Sequence, residues 1–361
     1  MLRLYIKTAL ILFIAILLSV GIDAVYRHTY HLKYKLPQNI LVKSSIPDKY
    51  QIVKLGNSHS EDGITFDYYR LRSLSLASVA QSFEYDLAML KMYANQIDKG
   101  AVIIINVSPL SFSQKKPGKA ESLQFQYYDG RLSPFVIPHL QFGDYLQNQI
   151  IPFVRTVYLW REANSKKEQE NAMNTFAANW PTPTPQVIPT VVQNNEIIKV
   201  INLPKKHITA EEEMAKAPFW PEDGLQKSVN AMVNKWTQTG DFGSQYINAN
   251  RSDLEELIKY GLDKKWRVVV VSIPISQKLI DVLGRKYMQT NFYEPFKKTN
   301  FLSAEPIDLS SYKQLRENAY FFSNSDHLNQ YGARIFSHLL LEKLIEKGYV
   351  AKDVDGFLVS D

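Results

Sequence analysis

The apolar positions of the chain follow one pattern at its start and another through its body. Leu4 to Ile22 reads LYIKTALILFIAILLSVGI, apolar on every face and interrupted by a single charge, Lys7. An all-round apolar run at the extreme terminus predicts a membrane-spanning helix, not an amphipathic core helix. The uncharged part, Thr8 to Ile22, is somewhat short of the ~20 residues a spanning helix needs. Lys7 can snorkel to the headgroups and so let Leu4 to Ile6 extend the span. Arg3, Lys7 and the amino terminus lie on the short side, which places that side in the cytoplasm and the rest of the chain outside. Arg27, Lys33 and Lys35 on the far flank make the asymmetry imperfect. A cleaved signal peptide is the competing reading, but Ile22-Asp23-Ala24 puts Ile at the −3 position, where a small residue is required.

Beyond a polar, aromatic stalk the periodicity becomes that of an α/β domain. Gln51 to Gly56 is a short apolar run ending in a turn residue, a buried strand. Gly63 to Arg72 is expected to be helical and Ser73 to Leu76 a short strand. Ser82 to Ile97 carries Phe83, Leu87, Leu90 and Tyr93 at helical spacing and stops near Lys99-Gly100. Ala101 to Val107 (AVIIINV) is the near-continuous β-branched run of a strand covered on both faces. Strand, helix, strand in succession predicts a parallel sheet. The rhythm is lost from Leu110 to about Gly240. That stretch holds the proline-rich segment Asn179 to Thr190 and helical pieces over Ile208 to Trp236 broken by Pro218 and Pro221. It then resumes with a helix over Ser252 to Lys265, a strand over Arg267 to Ile275, a helix over Ser276 to Leu283, a short strand end over Tyr320 to Ser323, and a closing helix over Gly332 to Lys347. The resulting plan is an anchor (1–25), a stalk (26–49), a first core segment (50–115), an insertion or lid (116–245) and a second core segment (246–361).

Composition narrows the chemistry. At 361 residues, with 45% hydrophobic and 22% charged residues, the chain is globular and neither disordered nor fibrous. It contains no Cys, which excludes disulfides, thiolate metal sites and a Cys nucleophile. The net charge of +6 is mild for this length and shows no basic cluster, so nucleic acid is not an expected partner, whereas an anionic envelope polymer or lipid surface is compatible.

Two short motifs at opposite ends of the core carry the candidate chemistry. In Leu55-Gly56-Asn57-Ser58-His59-Ser60 a buried strand runs into a turn and then a helix. This places the Ser58 hydroxyl at the carboxyl edge of a parallel sheet, where open α/β sheets bind ligands. In Ser323-Asn324-Ser325-Asp326-His327-Leu328-Asn329 an imidazole sits in a loop before the last helix, beside acidic and amide side chains. A serine nucleophile needs a base to take its proton, and the base needs an orienting partner. Alone, the first motif reads better as a turn with a helix cap, and the second as a surface loop histidine with Asn329 as helix cap. His59 is expected only to line the pocket mouth. His28, His31, His139, His207 and His338 form no metal-ligand pattern.

Taken together, the motifs resemble the SGNH/GDSL hydrolase superfamily, with its nucleophilic Ser after the first strand and its Asp-x-x-His block before the last helix. Ala80-Gln81-Ser82 and Val107-Ser108-Pro109-Leu110-Ser111-Phe112 are similar to blocks of the D-alanyl transfer proteins of lipoteichoic acid D-alanylation. The resemblance covers Ile52 to about Phe112 and Tyr320 to about Lys347, not the middle. It implies an SGNH-type three-layer α/β sandwich with a mainly parallel sheet, an N-terminal transmembrane helix and a large middle insertion. It also implies a membrane-anchored, extracytoplasmic acyl transferase or esterase acting on a cell-envelope polymer. An acyl donor would be its substrate and a membrane-bound O-acyltransferase its partner.

The resemblance assigns Ser58 as nucleophile and His327 as general base. The Ser58 N–H, Gln81 and Asn106 are its candidate oxyanion donors. No metal and no organic cofactor is required. One position departs from the pattern, since Asn324 stands three residues before the His where an Asp is usual, and Asp326 is adjacent to it. Three readings follow: Asp326 substitutes, which is favoured; Asn324 supports a Ser–His dyad; or the site is weakened and the protein is a non-catalytic polymer-binding or acyltransferase-partner protein.

Overall fold

The computed structural model describes residues 1–26, 49–66, 69, 71–78, 81–115, 190–193, 196–199, 222–239 and 242–350. The stalk, the proline-rich segment and most of the stretch read as an insertion lie outside these residues. The chain divides into two units, Met1–Ile46 with Pro117–Thr184, and Pro47–Lys116 with Pro185–Asp361. In the first, helix α1 (Leu2–Tyr26) contains the stretch Arg3–Ile22, which is long and apolar enough to cross a membrane and has no buried residue.

The second unit is built on a five-stranded sheet in which every pairing is parallel. In chain order its elements begin with β1 (Tyr50–Leu55), α2 (Ser58–Gly63), β2 (Ser73–Ser75), α3 (Phe83–Tyr93) and β3 (Ile97–Val107). A two-stranded antiparallel hairpin, β4 (Thr190–Gln193) and β5 (Glu196–Lys199), stands apart from the sheet. Helices α4 (Glu222–Thr239) and α5 (Ile247–Asp263) precede β6 (Arg267–Ser272). There follow α6 (Gln277–Met288), α7 (Glu294–Lys298), β7 (Glu305–Asp308), α8 (Lys313–Arg316) and α9 (Gln330–Glu346). The strand order is β2-β1-β3-β6-β7. From β1 the chain moves outward to β2, and from β3 it moves the other way to β6. The crevice between the carboxyl ends of β1 and β3 is therefore the topological switch point, the place where open parallel sheets hold ligands.

The register shows why the strands are apolar almost throughout. Ile52 pairs with Val102, and Ile104 with Val269. These residues, with Val271, join Ile335, Phe336 and Leu340 of α9 in one core. The alternate residues point to the other face, where Gly261 of α5 packs so closely on Val268 that a Cβ there would meet its side chain at 2.6 Å. Helices thus cover both faces, and each fully buried Val or Ile contributes about 1.5–3 kcal/mol.

The sequence reading needs correction at three places. The helix after β1 is not at Gly63–Arg72 but earlier, at Ser58–Gly63, because Asn57 caps it; residues 64–66 and 71–72 are irregular. β3 starts at Ile97, so the stretch up to Gly100 belongs to the strand and not to the preceding helix. Tyr320–Ser323 contains a single 3-10 turn, Ala319–Phe321, followed by an isolated bridge from Phe322 to Leu328. Strand β7 has no sequence signature: Glu305-Pro306-Ile307-Asp308 holds one buried apolar residue, and Pro is tolerated because the strand is at the sheet edge.

Candidate active site

The turn that carries Ser58 is fixed from below and from both sides. Gly56 has φ of +123°, and a Cβ there would lie 2.9 Å from the Asn106 Cβ, so only glycine fits between the ends of β1 and β3. The Gly56 N–H donates to the buried carboxylate of Asp86 at 2.8 Å. The Asn57 side chain accepts the His59 N–H at 3.1 Å, the N-cap bond that starts α2 and makes Ser58 its first residue. At the other end of this short helix, Lys54 donates its Nζ to the carbonyls of Ser60 and Glu61, both at 3.0 Å, and to that of Ile64. A cation at a helix carboxyl end satisfies the orphan carbonyls and complements the dipole.

The imidazole comes from the opposite end of the chain. Asn329 caps α9 by accepting the N–H groups of Tyr331 and Gly332, both at 3.0 Å. Just before it, Asn324 Oδ1 accepts the N–H of Asp326 at 3.0 Å and that of His327 at 2.8 Å, which curls the loop back on itself. The Ser325 carbonyl accepts the Ser276 hydroxyl at 2.6 Å, and the Ser325 N–H donates to Ser228 of α4 at 3.1 Å. A helix from the stretch read as an insertion therefore supports the histidine loop.

The two motifs meet. His327 Nε2 lies 2.7 Å from Ser58 Oγ, within the range for a nucleophile and its base. His327 Nδ1 faces Asn324 Oδ1 at 3.0 Å and Asp326 Oδ1 at 3.1 Å. Asn324 already accepts two backbone N–H groups, which fills the two lone pairs of its oxygen. Asp326 is thus the acceptor with capacity and charge left for the ring. Adjacent residues of an extended segment point apart, and the Asn324 turn is what lets Asp326 reach its neighbour's imidazole.

His59, expected from the sequence only to line the pocket mouth, is part of the cluster. His59 is 4% exposed, and its Nε2 lies 3.3 Å from Asp326 Oδ2. Its ring stacks on that of His327 with centroids 4.5 Å apart. Burial alone would raise the Asp326 pKa, but hydrogen bonds from His327 and His59 outweigh it and hold the carboxyl well below the usual carboxylate range. For His327, burial works against the charged form, yet contact with Asp326 wins and lifts its pKa above the ordinary imidazole value. His59, Asp326 and His327 also bring ligand-type atoms within 4.8 Å of one another. Asp326 meets one ring at each oxygen, and His327 Nε2 is turned to Ser58 at 2.7 Å. His338 is a packing residue on α9, between Tyr69 and Glu342, each at 3.4 Å. His28, His31, His139 and His207 lie outside the described residues.

A small pocket of about 10 Å³, room for roughly one water, opens beside the Ser58 turn; Gly56, Asn57, Ser82, Asp86, Asn106 and Asn250 are among its lining residues, and Ser58 and His327 are not. Asn106, in the pocket wall, donates one of its two amide hydrogens to Asn57 Oδ1 at 3.4 Å. As first residue of α2, Ser58 has an N–H with no intrahelical acceptor. Gln81 requires a correction. Its amide nitrogen donates to the Leu76 carbonyl at 2.9 Å and to Asp86, which uses both hydrogens, so it is not a free oxyanion donor. Its part is to hold Asp86, which in turn holds Gly56.

Asp86 is fully buried, and burial pushes its carboxyl up to about 7 against the Gln81 and Gly56 hydrogen bonds. The unfolded chain releases this proton near 3.8. Between those two pH values the folded state binds more protons, so the Asp86 contribution to stability falls as pH rises through the window. The Asp86→Asn variant keeps an oxygen for both donors and cannot ionise. Its advantage over wild type is expected to be largest at pH 8, smaller at pH 5 and to vanish toward pH 3.8, as read by chemical denaturation at each pH.

No family model matches the chain, and a search of curated proteins found no match to it.

Proposed function

We propose that the protein is an SGNH-type serine acyl transferase or esterase, anchored in the membrane by α1, that works outside the cytoplasm on a cell-envelope polymer through an acyl-enzyme on Ser58. The observation that carries this reading is the 2.7 Å contact of Ser58 Oγ with His327 Nε2, backed by Asp326 at the other ring nitrogen. It is supported by the position of that contact beside the switch-point pocket and by the resemblance of both motifs to the superfamily.

The chemistry follows from the geometry. Ser58 Oγ attacks the carbonyl of an acyl ester or thioester while its proton passes to His327 Nε2. Asp326 stabilises the imidazolium. The Ser58 N–H and the Asn106 amide are the donors closest in the chain and sheet to the developing oxyanion. As the carbonyl re-forms, the bond to the leaving oxygen or sulfur breaks, and His327 returns its proton to that atom. A polymer hydroxyl or water then attacks acyl-Ser58 and gives its proton to His327; the acyl bond to Ser58 Oγ breaks, and His327 returns the proton to that oxygen. A membrane-bound O-acyltransferase is the proposed acyl source or partner.

The test uses an activated aryl ester of a short acid and the full chain in detergent. Wild type is expected to release the aryl alcohol in a burst, followed by turnover that accelerates with an added sugar or polyol acceptor if transfer is preferred over hydrolysis. Absence of a burst, or an equal burst from Ser58→Ala, contradicts the proposal.

A further inference from the structure

We infer that His59 is a second imidazole on the triad carboxylate, a positioning residue that orients Asp326 and draws on its charge, and so sets how basic His327 is. The inference deepens the reading above and concerns the same site.

Three observations carry it. First, the two oxygens of Asp326 are divided between two rings: Oδ1 lies 3.1 Å from His327 Nδ1, and Oδ2 lies 3.3 Å from His59 Nε2. Second, His59 is itself locked. Its backbone N–H and its Nδ1 both face Asn57 Oδ1 at 3.1 Å, so the cap that starts α2 also sets the ring. Third, the two imidazoles stack with an interplanar angle of 16°, which puts any proton gained by one beside the other. His59 therefore reaches Asp326 from the nucleophile's own helix, while His327 reaches it from the distant loop. The carboxylate joins the two halves of the site.

The direction of the effect follows from electrostatics. A carboxylate that also faces His59 Nε2 at 3.3 Å has less to give to His327, and partial positive charge on the stacked ring opposes the imidazolium. The titratable groups whose charge acts on His59 are Asp326 and His327 from the loop before α9, and Asp62 from its own helix. Burial outweighs the pull of Asp326 and holds the His59 pKa below the ordinary imidazole value, so the ring acts on Asp326 as a dipole and not as a fixed charge. Removing it hands the whole carboxylate to His327.

The readout is the pH titration of ring nitrogens in 15N-histidine-labelled full chain in detergent. It does not depend on Ser58 being reactive. In His59→Leu the His327 midpoint is expected to rise by about one pH unit. In His59→Gln, whose amide can donate to the same oxygen, it is expected to return most of the way to the wild-type value. An unchanged or lowered midpoint in His59→Leu overturns the inference. Should the leucine variant not fold, Asp326→Asn decides: it is expected to lower the midpoints of both His59 and His327, and a shift of His327 alone overturns the inference. If the rings behave as expected but the aryl ester is not cleaved, the proposed function fails while the two-imidazole arrangement stands.

Discussion

Replacing His327 with Ala is expected to slow covalent modification of Ser58 by a fluorophosphonate about 10³–10⁴-fold at pH 8, the size of effect expected when a triad member is lost. The reason is local. Ser58 Oγ donates its proton to His327 Nε2 across 2.7 Å, and both groups sit on rigid supports. Asn57 and Lys54 hold the two ends of the helix that begins with Ser58. Asn324, Ser276 and Ser228 hold the histidine loop. Removing the ring should leave these supports in place, so the loss of rate should far exceed the modest loss of stability that follows when buried Asp326 loses a partner. The wild-type rate has an acid limb of known sign. The base is neutral imidazole, and contact with Asp326 lifts its pKa above the ordinary value. Reactivity should therefore decline as pH falls, with its half-point above about pH 6.5.

The second large effect separates the two candidates for the orienting acid. Asp326→Asn is expected to cost about 10²–10³-fold in the same labelling rate, because the imidazolium loses its charged partner. Asn324→Asp should retain most of the activity, since a carboxylate there accepts the same two backbone N–H groups and adds charge near His327 Nδ1. Rates from the two variants measured side by side at pH 8 decide the matter. If Asp326→Asn were harmless and Asn324→Asp strongly activating, Asn324 would occupy the orienting position and Asp326 would be incidental.

Much of the parallel sheet was legible because its strands are buried on both faces. Ala101–Val107 and Arg267–Ser272 have no polar alternation to confuse them with surface strands. β7 was not legible, since at the sheet edge a strand needs only one buried side chain, Ile307. The early position of α2 was also missed. Asn57 reads as a turn residue, and its role as a cap depends on its side chain meeting the His59 N–H. In the site, Ser58 and His327 were legible as a pair from strand-to-helix context. The reach of Asp326 was not, because it depends on the turn set by Asn324. Gln81 was placed near the site only by the resemblance, as an oxyanion donor, and its engagement by Asp86 and Leu76 depends on tertiary packing. Asp86 and His59 had no distinguishing signal: one sits on an ordinary helix face and the other looks like a neighbour of the nucleophile.

The most direct measurement is peptide mapping of a fluorophosphonate adduct on the full chain in detergent. The expected result is one adduct, on Ser58, absent from Ser58→Ala and strongly reduced in His327→Ala. Labelling spread over other serines, or none on Ser58 at a pH where His327 is neutral, would contradict the central claim that this hydroxyl is an activated nucleophile.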